Sequence, residues 1–240
     1  MPQLILSDIH GNFDALQAVL GHAAGRHEGI LCLGDLVGYG AEPNAVTDWA
    51  KANTAAIVRG NHDKACSGAH SLDEYSPWAR ASASWTRKEL TEENRLYLQQ
   101  LPQGPLAYQE ISLVHGSPSD EDEYLVSIID VTVQRGALTT PLTFFGHTHI
   151  QGGFLLGPSG TKKIAPNGSI FVEPDYFFLI NPGSVGQPRD GDWRAGYALY
   201  SAVERTVEFH RVAYDVDRAA AKIRAAGLPE FLAARLYEGR

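Results

Sequence analysis

Residues 4–12 read LILSDIHGN, an apolar run that ends in Asp8 and His10 with a single residue between them. LILS (4–7) has the length of a buried strand, and FDALQAVLGHAAG (13–25) follows with apolar residues at helical spacing. The unit then recurs. GILCL (29–33) reads as a second strand, Pro43 stands in the first turn of a helix over EPNAVTDWAKAN, and TAAIV (54–58) reads as a third strand. Strand, helix, strand, helix, strand predicts parallel βαβ units.

Beyond this core the pattern changes twice. Residues 64–104 are polar and carry a helical pattern through ARASASWTRKELTEENRLYLQQL, which predicts a helical insertion over the end of the sheet. After Pro105 come ISLVH (111–115) and LTFFG (142–146), with helical material between them. From 151 onward GGFLLG, GSIFVE, YFFLI, GYALYS and TVEFHRVAY predict an antiparallel sheet with tight turns. DVDRAAAKIRAAG and LPEFLAARLYEG, separated at Gly227, predict C-terminal helices over about 215–238. With no linker, repeat or low-complexity segment in view, the expectation is one α/β domain over 1–240 with two packed sheets.

Composition narrows the function. A chain of 240 residues with 44% hydrophobic content can bury a core of useful size. Its formal net charge of −8 and lack of any Lys/Arg cluster count against a nucleic-acid polymer as partner. A small phosphorylated substrate stays open, because local charge in a cleft can oppose the global charge. No run is long enough for a membrane span, and MPQLILSDIHGN lacks the basic start and cleavage site of a signal peptide, so a cytoplasmic setting is expected. Cys32 and Cys66 are too few for a disulfide framework and are read as structural. The oligomeric state is not legible.

The chemistry lies at the strand ends. LILS runs into Asp8-Ile9-His10, GILCL into Gly34-Asp35, TAAIV through Arg59 into Gly60-Asn61-His62-Asp63, ISLV into His115, and LTFF into Gly146-His147-Thr148-His149. In open α/β sheets ligands sit just beyond the carboxyl ends of strands, so the five ends converge. In an extended D-x-H segment the first and third side chains share a side, which lets Asp8 pair with His10 and His147 with His149. Glycines before Asp35, Asn61 and His147 are expected to turn the backbone sharply. An oxygen and nitrogen set without thiolate suits Mn²⁺, Fe, Zn²⁺, Ni²⁺ or Co²⁺, with Mn or Fe favoured, and argues against a structural zinc site. Seven candidate ligands are too many for one ion and suit two, bridged by a carboxylate for which Asp35 is the natural choice. His22, His27, His70 and His210 read as packing residues, and Asp63 as structural rather than catalytic.

The ordered set SDIHGN, LGDLVG, RGNHD, VHG and GHTH resembles the calcineurin-like metallophosphoesterase superfamily. The closing NPGSVGQPRD (181–190) and the LGDLVGYG variant resemble its small single-domain bacterial and archaeal phosphodiesterases, some of which act on diadenosine tetraphosphate. The resemblance spans roughly residues 4 to 200. It implies a four-layer α/β/β/α sandwich, a first metal held by Asp8, His10 and His149, a second held by Asn61, His115 and His147, and Asp35 bridging both. It also implies that His62 faces the substrate and assists hydrolysis. Position 38 departs from the phosphoprotein phosphatases, which place there an Asp that orients the catalytic His; here it is Gly38.

The expected activity is therefore hydrolysis of a small phosphodiester or dinucleoside polyphosphate by a hydroxide held between two ions, with His62 protonating the leaving oxygen. Asn12, Ser184 and Arg189, with Asn181 beside them, are candidate substrate contacts, and Tyr39 is a candidate stacking residue. The alternatives are a phosphoprotein phosphatase, which Gly38 disfavours, and a non-catalytic metal-binding scaffold, which the full ligand set and His62 disfavour.

Overall fold

The computed structural model describes residues 1–240 apart from Glu74. The first of two sheets contains β1 (Gln3–Leu6), β2 (Gly29–Cys32), β3 (Ala56–Ile57), β9 (Ser169–Phe171), β11 (Ala195–Ser201) and β12 (Thr206–Val212), in the order β3-β2-β1-β11-β12-β9. The second contains β4 (Leu106–Tyr108), β5 (Ile111–Leu113), β6 (Leu142–Phe144), β7 (Gly152–Gly157), β8 (Gly160–Ile164) and β10 (Phe177–Asn181), in the order β4-β5-β6-β10-β7-β8. β1, β2 and β3 are parallel neighbours, as are β5, β6 and β10; the remaining pairings are antiparallel.

Both sheets are thus mixed, which corrects the expectation of a separate antiparallel sheet after residue 151. β7, β8 and β10 join the second sheet, while β9, β11 and β12 extend the first. Glycine and proline punctuation marks where a hairpin turns but carries no information about which sheet edge it meets.

The pleat explains why the central strands read as unbroken apolar runs. Leu4 and Leu6 point to the helices over the outer face of the first sheet, while Ile5 points between the sheets. In the same way Phe144 and Ile180 fill the space between the sheets, and Phe145 and Leu179 face the outer layer of the second. A strand covered on both faces has no polar side to display. The layers are therefore helix, sheet, sheet, helix: α1 (Phe13–Ala23), α2 (Pro43–Asn53), α7 (Val216–Ala225) and α8 (Glu230–Glu238) bury residues over the first sheet, and α6 (Ile128–Val133) lies on the second.

Residues 61–100 form α3 (Asn61–Ser67), α4 (Pro77–Glu89) and α5 (Glu92–Gln100). The single helical pattern expected across 79–101 breaks at Leu90, and the Thr91 hydroxyl then accepts the amide of Asn94 to cap α5. Among the described residues no helix is long and apolar enough to cross a membrane.

Candidate metal centre

The carboxyl ends of β1, β2, β5 and β6 meet at one place, and the residues just beyond them form two overlapping groups. Asp8, His10, Asp35 and His149 make one, and Asp35, His115 and His147 the other; within each, the ligand-type atoms lie within 4.8 Å of one another. All of these side chains are buried.

The local backbone differs from the expected extended one. Asp8 (φ 53°), His10 (φ 50°), Asp35 (φ 54°), His147 (φ 64°) and His149 (φ 59°) all adopt the left-handed conformation. The strands end at Leu6 and Phe144, so Asp8 and His10 come together through left-handed turns and not through the strand pleat, while His147 and His149 are divided between the two groups. Each such residue costs on the order of 1–3 kcal/mol, and such residues cluster at functional sites. Of the three glycines expected to turn the chain, Gly34 alone is left-handed (φ 91°). Gly60 (φ −101°) supplies room instead, since a Cβ there would overlap Asp35 Oδ1. Gly146 does the same beside Ser7.

Hydrogen bonds determine which ring nitrogens face the centre. A carbonyl oxygen can only accept, so the nitrogen against it carries the proton. His10 Nδ1 donates to Val37 O (3.0 Å), His115 Nδ1 to Leu33 O (2.7 Å) and His149 Nδ1 to Gln187 O (2.6 Å). All three turn Nε2 lone pairs inward. His147 is reversed: its Nε2 donates to Asp122 O (3.1 Å), which leaves Nδ1 to face the centre.

The carboxylates complete the set. Asp35 Oδ1 accepts the amide of His62 (2.8 Å), while its Oδ2 has no hydrogen-bond partner and lies 3.5 Å from both His10 Nε2 and His115 Nε2. Asp8 Oδ2 is likewise unpartnered, and Asp8 Oδ1 lies 3.4 Å from His149 Nε2. Asn61 joins the second group, its Oδ1 3.1 Å from His115 Nε2; Tyr75 fixes the amide by accepting from Nδ2 (3.2 Å) and donating to the Asn61 carbonyl (2.9 Å). His10 Nε2 and His149 Nε2 face each other at 3.1 Å. Convergent buried acceptors with this donor set fit divalent cations, since buried charges are paired or coordinate metals.

The electrostatics agree for His10, His147 and His149, while His115 departs. Burial holds His10 and His149 far below the usual imidazole range and brings His147 down to about 3, so these rings are neutral, the form that ligates. For His115 burial works the same way, but the adjoining Asp35 carboxylate outweighs it and pushes the ring up to about 10. Burial raises Asp8 to about 6, with Asp35 adding to the effect and His115 opposing it. In Asp35 burial is overcome by His115, His62 and His10, and the carboxyl stays ionised.

His62 lies at the start of α3, on the cleft side of the centre. Among the described residues no carboxylate orients it: Nδ1 has no hydrogen-bond partner there, and a Cβ at Gly38 would come within 2.5 Å of that atom. Aromatic neighbours hold the ring instead, with Tyr39 at 4.4 Å, His10 edge-on at 5.0 Å and Tyr75 edge-on at 5.5 Å between centroids. Burial lowers this ring to about 4, with Asp35 opposing. Asp63 is structural, as expected: its carboxylate accepts the amides of Asp35 (2.8 Å), Leu36 (2.9 Å) and Gly60 (2.9 Å), which ties the Asp35 loop to α3. Cys32 and Cys66 are fully buried, and burial raises both thiols, so neither is poised to react.

Of the candidate substrate contacts Arg189 reaches the cleft, as does the candidate stacking residue Tyr39. Asn12 caps α1 through Ala15 N (3.1 Å) and donates to Gly186 O (3.0 Å). Ser184 donates to Asp8 O (2.8 Å) and accepts from Gln187 N (2.8 Å). Asn181 braces the turn at 146–148 by donating to Gly146 O (2.9 Å) and Thr148 Oγ1 (3.0 Å). The hydrogen-bonding groups of all three are committed within the fold, so their expected substrate role is set aside.

The cleft over the centre encloses about 470 Å³ and is bounded by Asn61, His62 and His147 below and by Tyr39, Tyr124, Arg189 and Arg235 above. Tyr124, stacked on His147 at 3.8 Å, and Arg235 were not picked out from the sequence. Nothing local marks either one: Tyr124 follows an acidic loop, and Arg235 is one charged residue on an amphipathic helix.

Residues 1–205 match the calcineurin-like phosphoesterase superfamily domain. The chain is 37% identical over 243 residues to an uncharacterized protein of Methanocaldococcus jannaschii, covering 98% of this chain and 97% of that one. Among solved structures, a metallophosphoesterase from Sphaerobacter thermophilus is 39% identical with a TM-score of 0.88, covering 100% of this chain and 99% of its own. A hypothetical protein from Pyrococcus horikoshii OT3 is 23% identical with a TM-score of 0.79 over 100% and 98%, a likeness of fold.

Proposed function

The chain belongs to the calcineurin-like phosphoesterase superfamily, and from that premise we propose that it is a hydrolase that cleaves a small phosphodiester or dinucleoside polyphosphate with the help of two divalent transition-metal ions. The observation that carries this reading is Asp35 Oδ2, unpartnered and equidistant, at 3.5 Å, from one histidine of each ligand group. An oxygen so placed would be able to serve two ions. Asp8, His10 and His149 would hold the first, and Asn61, His115 and His147 the second. When bound, such a pair polarises phosphoryl oxygens and lowers the pKa of a water.

The chain's own residues supply the rest. His62 presents its ring to the cleft beside Asn61 and His147, where it would donate to the leaving oxygen. The Arg189 guanidinium would grip a non-bridging oxygen and set the phosphate in line. A cleft of about 470 Å³ has the size of a small-molecule site, and the net charge of −8 leaves the cleft arginines as the local attraction for an anion. The crowding at Gly38 supports the diesterase reading over a phosphoprotein phosphatase, since it leaves no room for an orienting carboxylate without a shift of the ring.

A substrate panel with added Mn²⁺ tests the proposal. Bis-p-nitrophenyl phosphate should be hydrolysed faster than p-nitrophenyl phosphate. Monoester activity in excess of diester activity would move the assignment to a phosphatase, and inertness toward every substrate with every metal would leave a scaffold.

A further inference from the structure

The cleft holds two guanidinium groups that come from separate elements. Arg189 lies in the loop after β10, its amide donating to the carbonyl of His149 at 3.2 Å. Arg235 comes from α8, beyond the residues 1–205 that match the superfamily domain. Both stack on one ring: the guanidinium carbons lie 5.6 Å and 5.9 Å from the centroid of Tyr39, which itself packs on His62 at 4.4 Å. Two cations beside one ring repel each other, and burial and then Arg189 pull Arg235 down to about 10.

Elsewhere several arginines are neutralised, and Arg80, Arg87 and Arg135 donate to backbone carbonyls. Arg59, Arg194, Arg211, Arg218 and Arg224 each meet a carboxylate within 4.0 Å. Among the described residues Arg189 meets no carboxylate, and Arg235 meets only the backbone oxygen of the last residue, Arg240. Arg189 Nη2 donates to Gln187 Oε1 (3.1 Å), and its buried Nε has no partner. Arg235 Nε donates to the carbonyl of Arg240, and among the described residues its outer nitrogens have no acceptor. Paired forks with free donors, one aromatic ring away from His62, are an arrangement for a bound anion.

We propose that Arg189 and Arg235 form a second anion subsite for a phosphate adjacent to the one being cleaved, so that the preferred substrate is a diphosphate- or polyphosphate-type ester and not a simple diester. This deepens, and rests on, the phosphoesterase reading above. The C-terminal helix then reads substrate length, while the strand ends hold the reacting phosphate.

AMP and ADP isolate the added phosphate on an otherwise identical ligand. Isothermal titration of the Mn²⁺-loaded chain, with Mn²⁺ in excess over nucleotide, should show ADP binding about 10–100-fold more tightly than AMP, the range of a charge-assisted contact. Arg235→Gln should shrink that ratio to about 3-fold or less. Arg235→Met, which replaces the guanidinium over Phe231 with an apolar side chain, serves if the Gln variant does not fold. A residue that only packs α8 would weaken both nucleotides together and leave the ratio unchanged. Equal affinities in the wild type, or a wild-type ratio in the folded variants, overturn the subsite. Hydrolysis of bis-p-nitrophenyl phosphate separates the two readings: an active chain that does not prefer ADP loses only the subsite, and an inactive chain that does prefer it loses only the hydrolytic reading.

Discussion

Asp35 and His62 are joined by one hydrogen bond, from the His62 amide to Asp35 Oδ1 at 2.8 Å, yet the proposed chemistry gives them separable roles. Asp35 Oδ2 faces both ligand groups, so Asp35→Asn removes the charge that would balance both ions while leaving the shape in place. Elemental analysis of that variant should find fewer than two equivalents of metal, along with lost activity; two full equivalents would rule out the bridge. His62 contributes its ring and not a ligand atom, so His62→Ala should lower kcat by about 10²–10⁴ with metal content unchanged. Wild-type turnover in that variant would remove its role. The candidate ligands were legible in the sequence because each lies within a few residues of a strand end, in a motif short enough to recognise. Their left-handed backbone was not legible, since Asp and His tolerate that conformation without announcing it. Asn12 and Ser184 misled for a related reason: a polar side chain beside a site looks free in sequence, and only the fold shows that Ala15, Gly186, Asp8 and Gln187 already engage it.

At the scale of elements, the site depends on strands that end on time. β1 and β6 stop at Leu6 and Phe144, and the ligand-bearing turns begin at once. Apolar runs predicted these strands but overshot them, since Phe145 and Val58 are as apolar as strand residues although they lie in the turns. β8 escaped notice because GTKKI is an exposed edge strand whose lysines break the alternation, and β4 because three residues carry no period. Phe144 shows what anchors the turns: it is fully buried between the sheets and meets Tyr200 edge-on at 5.8 Å. Phe144→Ala should therefore cost about 3–5 kcal/mol in urea unfolding of the metal-loaded chain. A loss under about 1 kcal/mol would mean that the two sheets close over the gap and that their packing does not hold the strand ends. A second anchor lies on the cleft side. Lys64 bonds Glu121 (2.9 Å) and Asp122 (2.7 Å), and Arg59 grips the same Glu121 (2.8 Å). These bonds hold the loop whose Asp122 carbonyl fixes His147. Nothing local in the sequence links Lys64 to His147; only the folded loop does.

For the whole molecule, the two sheets bring strand ends from both halves of the chain to one buried point and leave there more acceptors than donors. Among the described residues Asp8 Oδ2 and Asp35 Oδ2 are buried without hydrogen-bond partners, and His10 Nε2 faces His149 Nε2 at 3.1 Å. Buried anionic oxygens without a cation are expensive, because the desolvation penalty stands while the compensating attraction is missing. The folded chain should therefore bind divalent metal far better than the unfolded one, where Asp8, Asp35 and His149 are far apart, and mass action then ties stability to metal. At a free metal concentration about 100-fold above Kd, each site adds about 2.7 kcal/mol. In a chain of 240 residues that corresponds to a rise in Tm of about 5–10 °C for each site filled. Thermal unfolding after dialysis against a chelator, and again with Mn²⁺ restored, should show this shift and its reversal. The Asp35→Asn chain should show a much smaller one, because its two half-sites no longer share a charge. A Tm indifferent to chelation in the wild type would mean that the buried cluster is balanced by protons on its own histidines, with His115 the foremost carrier, and the assignment of two ions would fall with it.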